Sequence, residues 1–247
     1  MNHLAFFSIS NASLTAQKVG EFAGISVAFA ALGRAVRGVT TGGAVAGAVV
    51  CFALLCAAGI EGCAALFTVF VLTWVSTHMG YARKQNLGTA ESRSGRNALQ
   101  VLANLGTAAA CAVIYTRFPN SWLFAAMAAA LAEPAADTIS SEIGQAMGGT
   151  PRLITNWKGV DPGTNGAVTS IGSVAGMIAA LVVAFVFLAF RDVGRFSFVV
   201  IAVSGIAGMI GDSILGATIE GRGPIGNNAV NFMSTVIAAL IALLIVA

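Results

Sequence analysis

Three carboxylates fall within one short stretch of an apolar run: Glu133, Asp137 and Glu142, in EPAADTISSEIG. A fourth, Asp212, closes another apolar run in Gly211-Asp212-Ser213. Ionisable groups in such surroundings are costly and mark a functional site by default. Cations are concentrated in a few loops instead: Lys84, Arg93 and Arg96 in YARKQNLGTAESRSGRN, Arg152 and Lys158 in the segment 148–164, and Arg222 in Gly221–Gly226. Acids gathered near basic loops suit a divalent metal with phosphate. Mg²⁺ takes one or two carboxylates and fills its remaining sites with phosphate oxygens and water. Asp137, Glu142 and Asp212 are the candidate ligands. Residues five apart lie roughly 140° apart around a straight helix, so Asp137 and Glu142 cannot share a ligand face. Either the helix unwinds near Pro134 or Gly144, or one acid stands behind the other. Glu133 shares a face with Asp137 but lies deeper, beside Pro134, where a structural role fits better.

The loops offer phosphate cradles. Segment 148–164 is rich in glycine, and free backbone N–H groups with Arg152 and Lys158 would hold an anion; an ordinary connecting loop is the plainer reading. Thr164 ends this segment, and Asn165 and Gly166 are expected to open the next helix, whose N-terminal N–H groups favour negative charge. Segment 81–97 either anchors on anionic lipid or uses Lys84, Arg93 and Arg96 on phosphates. The run Gly221–Gly226 spells G-x-G-x-x-G, yet no strand precedes it and the dinucleotide-fold reading fails. It still leads, through Arg222, to a helix start at Asn228. No Walker A, H-E-x-x-H or G-x-S-x-G sequence occurs, and His3 and His78 are isolated. Polar residues also recur at helical spacing: Asn97, Gln100 and Asn104; Asn165, Thr169 and Ser173; Asn227, Asn231 and Ser234. Such stripes supply interhelical hydrogen bonds or line a common cavity, to which Glu91, Asn104, Ser141 and Asn231 would contribute.

The elements that must carry these groups follow from composition. The chain has 247 residues, 57% of them apolar and 9% charged, against roughly 25% charged in soluble domains. Mean hydropathy is +0.86. A soluble enzyme and a disordered chain are excluded, and continuous rather than alternating apolar runs exclude a membrane barrel. An all-α polytopic membrane bundle remains, with about seven or eight spans at ~20 residues each. The expected spans are a weak one at 19–33 and clearer ones at 41–59, 63–80, 98–117, 121–147, 165–190, 196–215 and 228–247. Only Ile60, Glu61 and Gly62 separate the second from the third, which predicts a tight hairpin. The fifth contains Pro134 and is expected to kink or break. Gly43/Gly47 and Gly172/Gly176 each form G-x-x-x-G, which permits close helix contact. No repeat or linker appears, so residues 1–247 read as a single membrane domain. The start MNHLAFFSIS lacks the basic region of a cleaved signal peptide, and Asn11-Ala12-Ser13 is an isolated sequon. The four cysteines form no C-x-x-C pair and read as inert thiols.

Charge sets the expected orientation. Nine of the thirteen lysines and arginines (Arg34, Arg37, Arg83, Lys84, Arg93, Arg96, Arg152, Lys158 and Arg222) fall on alternate loops. Those loops are therefore expected in the cytoplasm, which in a bacterium means an inner-membrane protein with its site on the inner face. The net charge of +3 gives no case for nucleic acid.

Several stretches together resemble one integral-membrane family, the one containing the plant chloroplast phytyl-phosphate kinase and a vertebrate transmembrane relative. They are LGTAESRSGRNALQVLANLG (87–106), EPAADTISSEIG (133–144), PRLIT (151–155), DPGTNGAVTSIGSVAG (161–176), GDSILGATIE (211–220) and NNAVNF (227–232). The likeness covers roughly residues 40–247, and the surroundings of Asp137 are more loosely similar to CTP-dependent polyprenol kinases. The resemblance implies phosphoryl transfer from a nucleoside triphosphate, CTP, to an isoprenoid monophosphate, with Mg²⁺ as cofactor. Asp137, Glu142, Asp212, Glu91, Arg96, Asn104, Arg152, Thr164, Asn165, Asn228 and Asn231 lie in the matching motifs, and Lys158 lies between two of them. A lipid cytidylyltransferase, a carrier of anionic solutes and a non-catalytic scaffold are the rival readings.

Overall fold

A computed structural model describes residues 15–191, 194–223 and 225–246. His3 and the sequon at Asn11 lie outside them. The main helices are α1 (Ala16–Ala35), α2 (Thr41–His78), α4 (Ala98–Arg117), α5 (Ser121–Met147), α6 (Ser170–Arg191), α7 (Arg195–Thr218) and α8 (Asn227–Val246). A short α3 (Tyr81–Asn86) follows α2, and a 3₁₀ turn (Glu220–Arg222) follows α7. By length and composition, α2, α4, α6, α7 and α8 can each cross a membrane. The protein is a helical polytopic membrane protein.

The helices start where capping chemistry allows. Thr15, Thr40, Asn97 and Asn120 each accept a hydrogen bond from a backbone N–H of the first turn, satisfying donors the helix leaves unpaired. At α4 the cap is reciprocal: the Gln100 side chain accepts from the Asn97 N–H while Asn97 accepts from the Gln100 N–H. Asn97 is thus a cap rather than part of an inward stripe.

The long α2 is a hairpin. Its helical geometry breaks at Gly59, where φ is 64° and ψ is −147°, a conformation costly for any residue with a Cβ. Beyond it the chain doubles back, so the sulfurs of Cys51 and Cys63 approach to 3.7 Å; twelve residues of straight helix would separate them by about 18 Å. Each arm has the length of one membrane crossing, and the second arm ends beside the start of the first. There the Trp74 indole N–H donates to the Val36 carbonyl.

Helix α5 occupies the centre, packed by α2, α4, α6, α7 and α8. From Phe124 to Ala136 every residue is buried, and most are alanine. Small side chains let five neighbours come close, which suits packing where lipid supplies no hydrophobic drive between helices. Helix α5 does not break at Pro134 and stays helical through it. The close approaches come from glycine. A Cβ on Gly172 would overlap the Ser140 carbonyl oxygen, and one on Gly176 would sit 2.6 Å from that of Ala136. Gly43 makes a similar approach to the Arg96 carbonyl, whereas a Cβ on Gly47 would meet only the Phe29 ring, at 3.9 Å. The second G-x-x-x-G is therefore a helix contact; in the first, Gly43 instead meets the loop backbone at Arg96.

Two expectations about the segment between α5 and α6 need correction. Helix α6 begins at Ser170, not at 165. Arg152–Leu153 and Ala167–Val168 pair as a two-stranded antiparallel ribbon, β1 and β2. Asn165 is consequently a loop residue and does not share a helix face with Thr169 and Ser173. The Thr169 hydroxyl instead accepts from the Gly172 N–H in the first turn of α6.

Candidate functional site

The connecting loops 36–40, 79–97, 148–169 and 219–223 gather at one end of the bundle. Under them lies a polar cavity of about 410 Å³, within the ~300–1,000 Å³ typical of small-molecule sites. Its floor is the loop-side end of α5, which contributes Asp137, Thr138, Ser141 and Glu142. Helix α4 adds Asn104 and α7 adds Asp212. Asn228 and Asn231 enter from α8, and Thr164 and Asn165 from the loop above, with Arg96 and Glu91 at one side. These six elements and loops, distant in sequence, converge on this volume.

Backbone contacts fix Arg96. Its N–H donates to the Gly38 carbonyl and its carbonyl accepts from the Thr40 N–H, so loop 36–40 clamps it like a short parallel bridge. The guanidinium then reaches α5 and donates to the Thr138 hydroxyl at 3.2 Å, one residue from Asp137. Glu91 is held by the Ser92 N–H and the Gln100 amide. The Asn104 amide donates to the Gln100 carbonyl, and its oxygen accepts from Asn231. The Ser141 hydroxyl donates back to the Thr138 carbonyl.

The acids divide into two sets. Asp137, Glu133 and Asp212 lie close enough to repel one another. Glu133 is 1% exposed, and one oxygen each of Glu133 and Asp212 is buried without a hydrogen-bond partner. Glu142 belongs elsewhere: it forms an ion pair with Lys84 and accepts from the Thr77 hydroxyl at 3.2 Å. The unbroken helix thus resolves the angular problem by sending the two acids to different partners.

Lys84 accordingly leaves the phosphate-binding set. It is fully buried and also donates to the carbonyls of Ser76 and Thr77, at 3.0 and 2.8 Å. It stitches the end of α2 to α5. Its neighbour Arg83 lines the cavity instead, lying against Gly148. Arg152 and Lys158 also depart from expectation. Both side chains are exposed and outside the cavity lining. The Arg152 guanidinium donates to the Trp157 carbonyl, folding the ribbon's tip. Arg93 lies over the Tyr81 ring at 5.5 Å. The Arg222 side chain is outside the described ones. Arg83, Thr138 and Glu220 were not singled out from the sequence. Glu220 lines the cavity, and burial raises its carboxyl above the ordinary value.

Among the described residues, no group of three or more His, Cys, Asp or Glu side chains forms a metal cage. The expected triad of Asp137, Glu142 and Asp212 is therefore not assembled. What remains is a pair, Asp137 and Asp212, with an orphaned carboxylate oxygen on Asp212. Two carboxylates facing an open polar volume fit an ion that completes its coordination with phosphate and water.

Residues 24–239 match a family described as integral membrane protein DUF92. An uncharacterised membrane protein of Methanocaldococcus jannaschii is 32% identical over 207 residues, covering 82% of this chain and 84% of its own. An uncharacterised membrane protein of Synechocystis is 34% identical over 195 residues, with 76% and 74% covered. The chloroplastic protein VTE6 of Arabidopsis thaliana is 27% identical over 195 residues, 75% of this chain and 59% of that one. No solved structure matches.

Proposed function

This chain belongs to the DUF92 family of integral membrane proteins, the family its motifs resemble, and from that premise we propose that it is an isoprenoid monophosphate kinase using CTP. The observation that carries the reading is the convergence of Asp137, Asp212 and Arg96 on one polar cavity at the loop end of a membrane bundle. Phosphoryl transfer needs positioning and charge neutralisation more than covalent help from the protein. Glycine-rich loop 148–169 and the N-terminal turn of α8 offer N–H groups to the triphosphate, and Arg83 adds positive charge. Asp137 and Asp212 would hold Mg²⁺, which supplies neutralisation of the triphosphate charge when bound.

The acceptor's phosphate would sit at Arg96. One of its anionic oxygens attacks the γ-phosphorus of CTP, and the bond from that phosphorus to the β–γ bridging oxygen breaks. CDP leaves with the bond's electrons, and the lipid becomes the isoprenyl diphosphate. No strong base is required, because the attacking oxygen is already ionised. Arg96 holds it in line and Asn104 and Asn231 keep the pocket polar.

The test is incubation of the purified protein in lipid nanodiscs with Mg²⁺, γ-labelled CTP and a C20 isoprenyl monophosphate. Label on the lipid and release of CDP are expected. CMP on the lipid with free pyrophosphate would mean a cytidylyltransferase. Absence of turnover with solute flux in liposomes would mean a carrier.

A further inference from the structure

Beside the polar cavity lies a second one, of about 330 Å³, bounded by α1, both arms of the α2 hairpin and α4. Its walls are apolar: Phe29 from α1, Gly47 from the first arm, Leu66, Phe70 and Trp74 from the second, and Leu105 from α4. Its loop end is different. Arg37, Arg93 and Arg96 line that end. Three residues, Glu91, Arg96 and Asn104, belong to the walls of both cavities. The two volumes therefore share Arg96, whose backbone the loop 36–40 clamp holds in place.

We infer that this second cavity receives the isoprenoid chain of the acceptor, its phosphate gripped at the arginine-lined junction by Arg96 with Arg37 and Arg93. The inference rests on the kinase reading and names the subsite that reading requires. An apolar slot capped by three guanidiniums complements a molecule with one hydrocarbon tail and one compact dianion. The phosphate is then delivered to the wall of the polar cavity facing Asp137. The slot is shaped by what Gly47 lacks: the nearest neighbour to a Cβ there is a Phe29 ring carbon 3.9 Å away. Isoleucine or leucine in its place would project into the space the tail needs.

Trp74 provides a probe that requires no turnover. Trp122→Phe and Trp157→Phe leave it as the single indole of a chain with three tryptophans. A C20 isoprenyl monophosphate brominated along its tail is titrated into this protein in nanodiscs without nucleotide. Saturable quenching is expected, reversed by the unbrominated C20 phosphate and not by the C20 alcohol at the same concentration. Gly47→Leu should shift the midpoint at least tenfold. Gly106→Leu, placed where a Cβ meets nothing within 4 Å, should leave it in place. Equal quenching by brominated phosphatidylcholine that the C20 phosphate cannot displace would show a slot filled by bulk lipid, and the inference falls. Turnover of the C20 phosphate without quenching would place the tail elsewhere, leaving the kinase reading intact. Specific quenching without turnover would keep the tail site and remove the kinase.

Discussion

Asp137 precedes Thr138, whose hydroxyl accepts from the Arg96 guanidinium, and it lines the polar cavity together with Asp212. In the kinase reading its charge serves a ligand rather than the fold. Asp137→Asn keeps the shape and removes the charge from a group of mutually repelling acids. Turnover should fall by about two to three orders of magnitude, the scale for deleting one electrostatic partner of a transition state. The melting temperature in detergent should hold or rise. An active Asp137→Asn enzyme would remove this residue from the site. Glu142 gives the opposite pattern. Its partner Lys84 has no access to solvent, and removing one member of a buried pair strands the other at a cost of about 3–5 kcal/mol. Glu142→Gln and Lys84→Met should each lower the melting temperature sharply, and Lys84→Met with Glu142→Leu should recover most of the loss. The residue pattern marked both groups as unusual. It could not pair them, because 58 residues separate them and both types also fit a metal-phosphate site.

At the scale of elements, the α2 hairpin was legible, its break at Gly59 lying next to the expected Ile60–Gly62 link; the cap at Asn97 was not, because in the sequence it reads as one member of a polar stripe. Nor was the start of α6. Asn165 and Gly166 resemble a helix opening, yet Gly166 has a φ of 74° and lies against the last turn of α7, so the chain forms a ribbon before it turns. Pro134 does not break α5, which five other helices enclose. The G-x-x-x-G signal named helix contact without naming the partner, which is α5 at the level of Ser140 and Ala136. Gly172→Ala tests that contact. The new methyl meets a backbone oxygen that cannot rotate away, and overpacking of this kind costs about 1–3 kcal/mol. We expect a lower melting temperature together with reduced turnover, since Ser141 and Asp137 ride on the same part of α5. Gly106→Ala, placed in open space on α4, should instead raise the melting temperature slightly, because alanine is the better helix former by roughly 0.5–1 kcal/mol.

For the whole molecule, the governing fact is which ends of the helices meet. Folding α2 back on itself puts loop 36–40 and segment 79–97 at the same end, and each later crossing returns the chain there for 148–169 and 219–223. The tip at Gly59 and the link before α5 at Phe118 lie at the other end. Nine of the thirteen basic residues lie at the first end, Arg34 in the last turn of α1 and the other eight in these loops; by the positive-inside rule we expect that end to face the cytoplasm, where nucleoside triphosphates are available. Composition made this alternation legible; the clustering of the loops over one cavity is a three-dimensional fact that charge counting does not contain. Replacing the four native cysteines and adding Ser92→Cys, Asn156→Cys, Ile60→Cys or Phe118→Cys one at a time converts the arrangement into a measurement. A membrane-impermeant maleimide applied to intact cells should label the last two and spare the first two, and inverted vesicles should reverse the pattern. Labelling of Ile60→Cys and Ser92→Cys from the same side would mean that the α2 arms do not each cross the bilayer. A complete reversal would put the cavity on the face without nucleotide, and a CTP-dependent kinase could not work there.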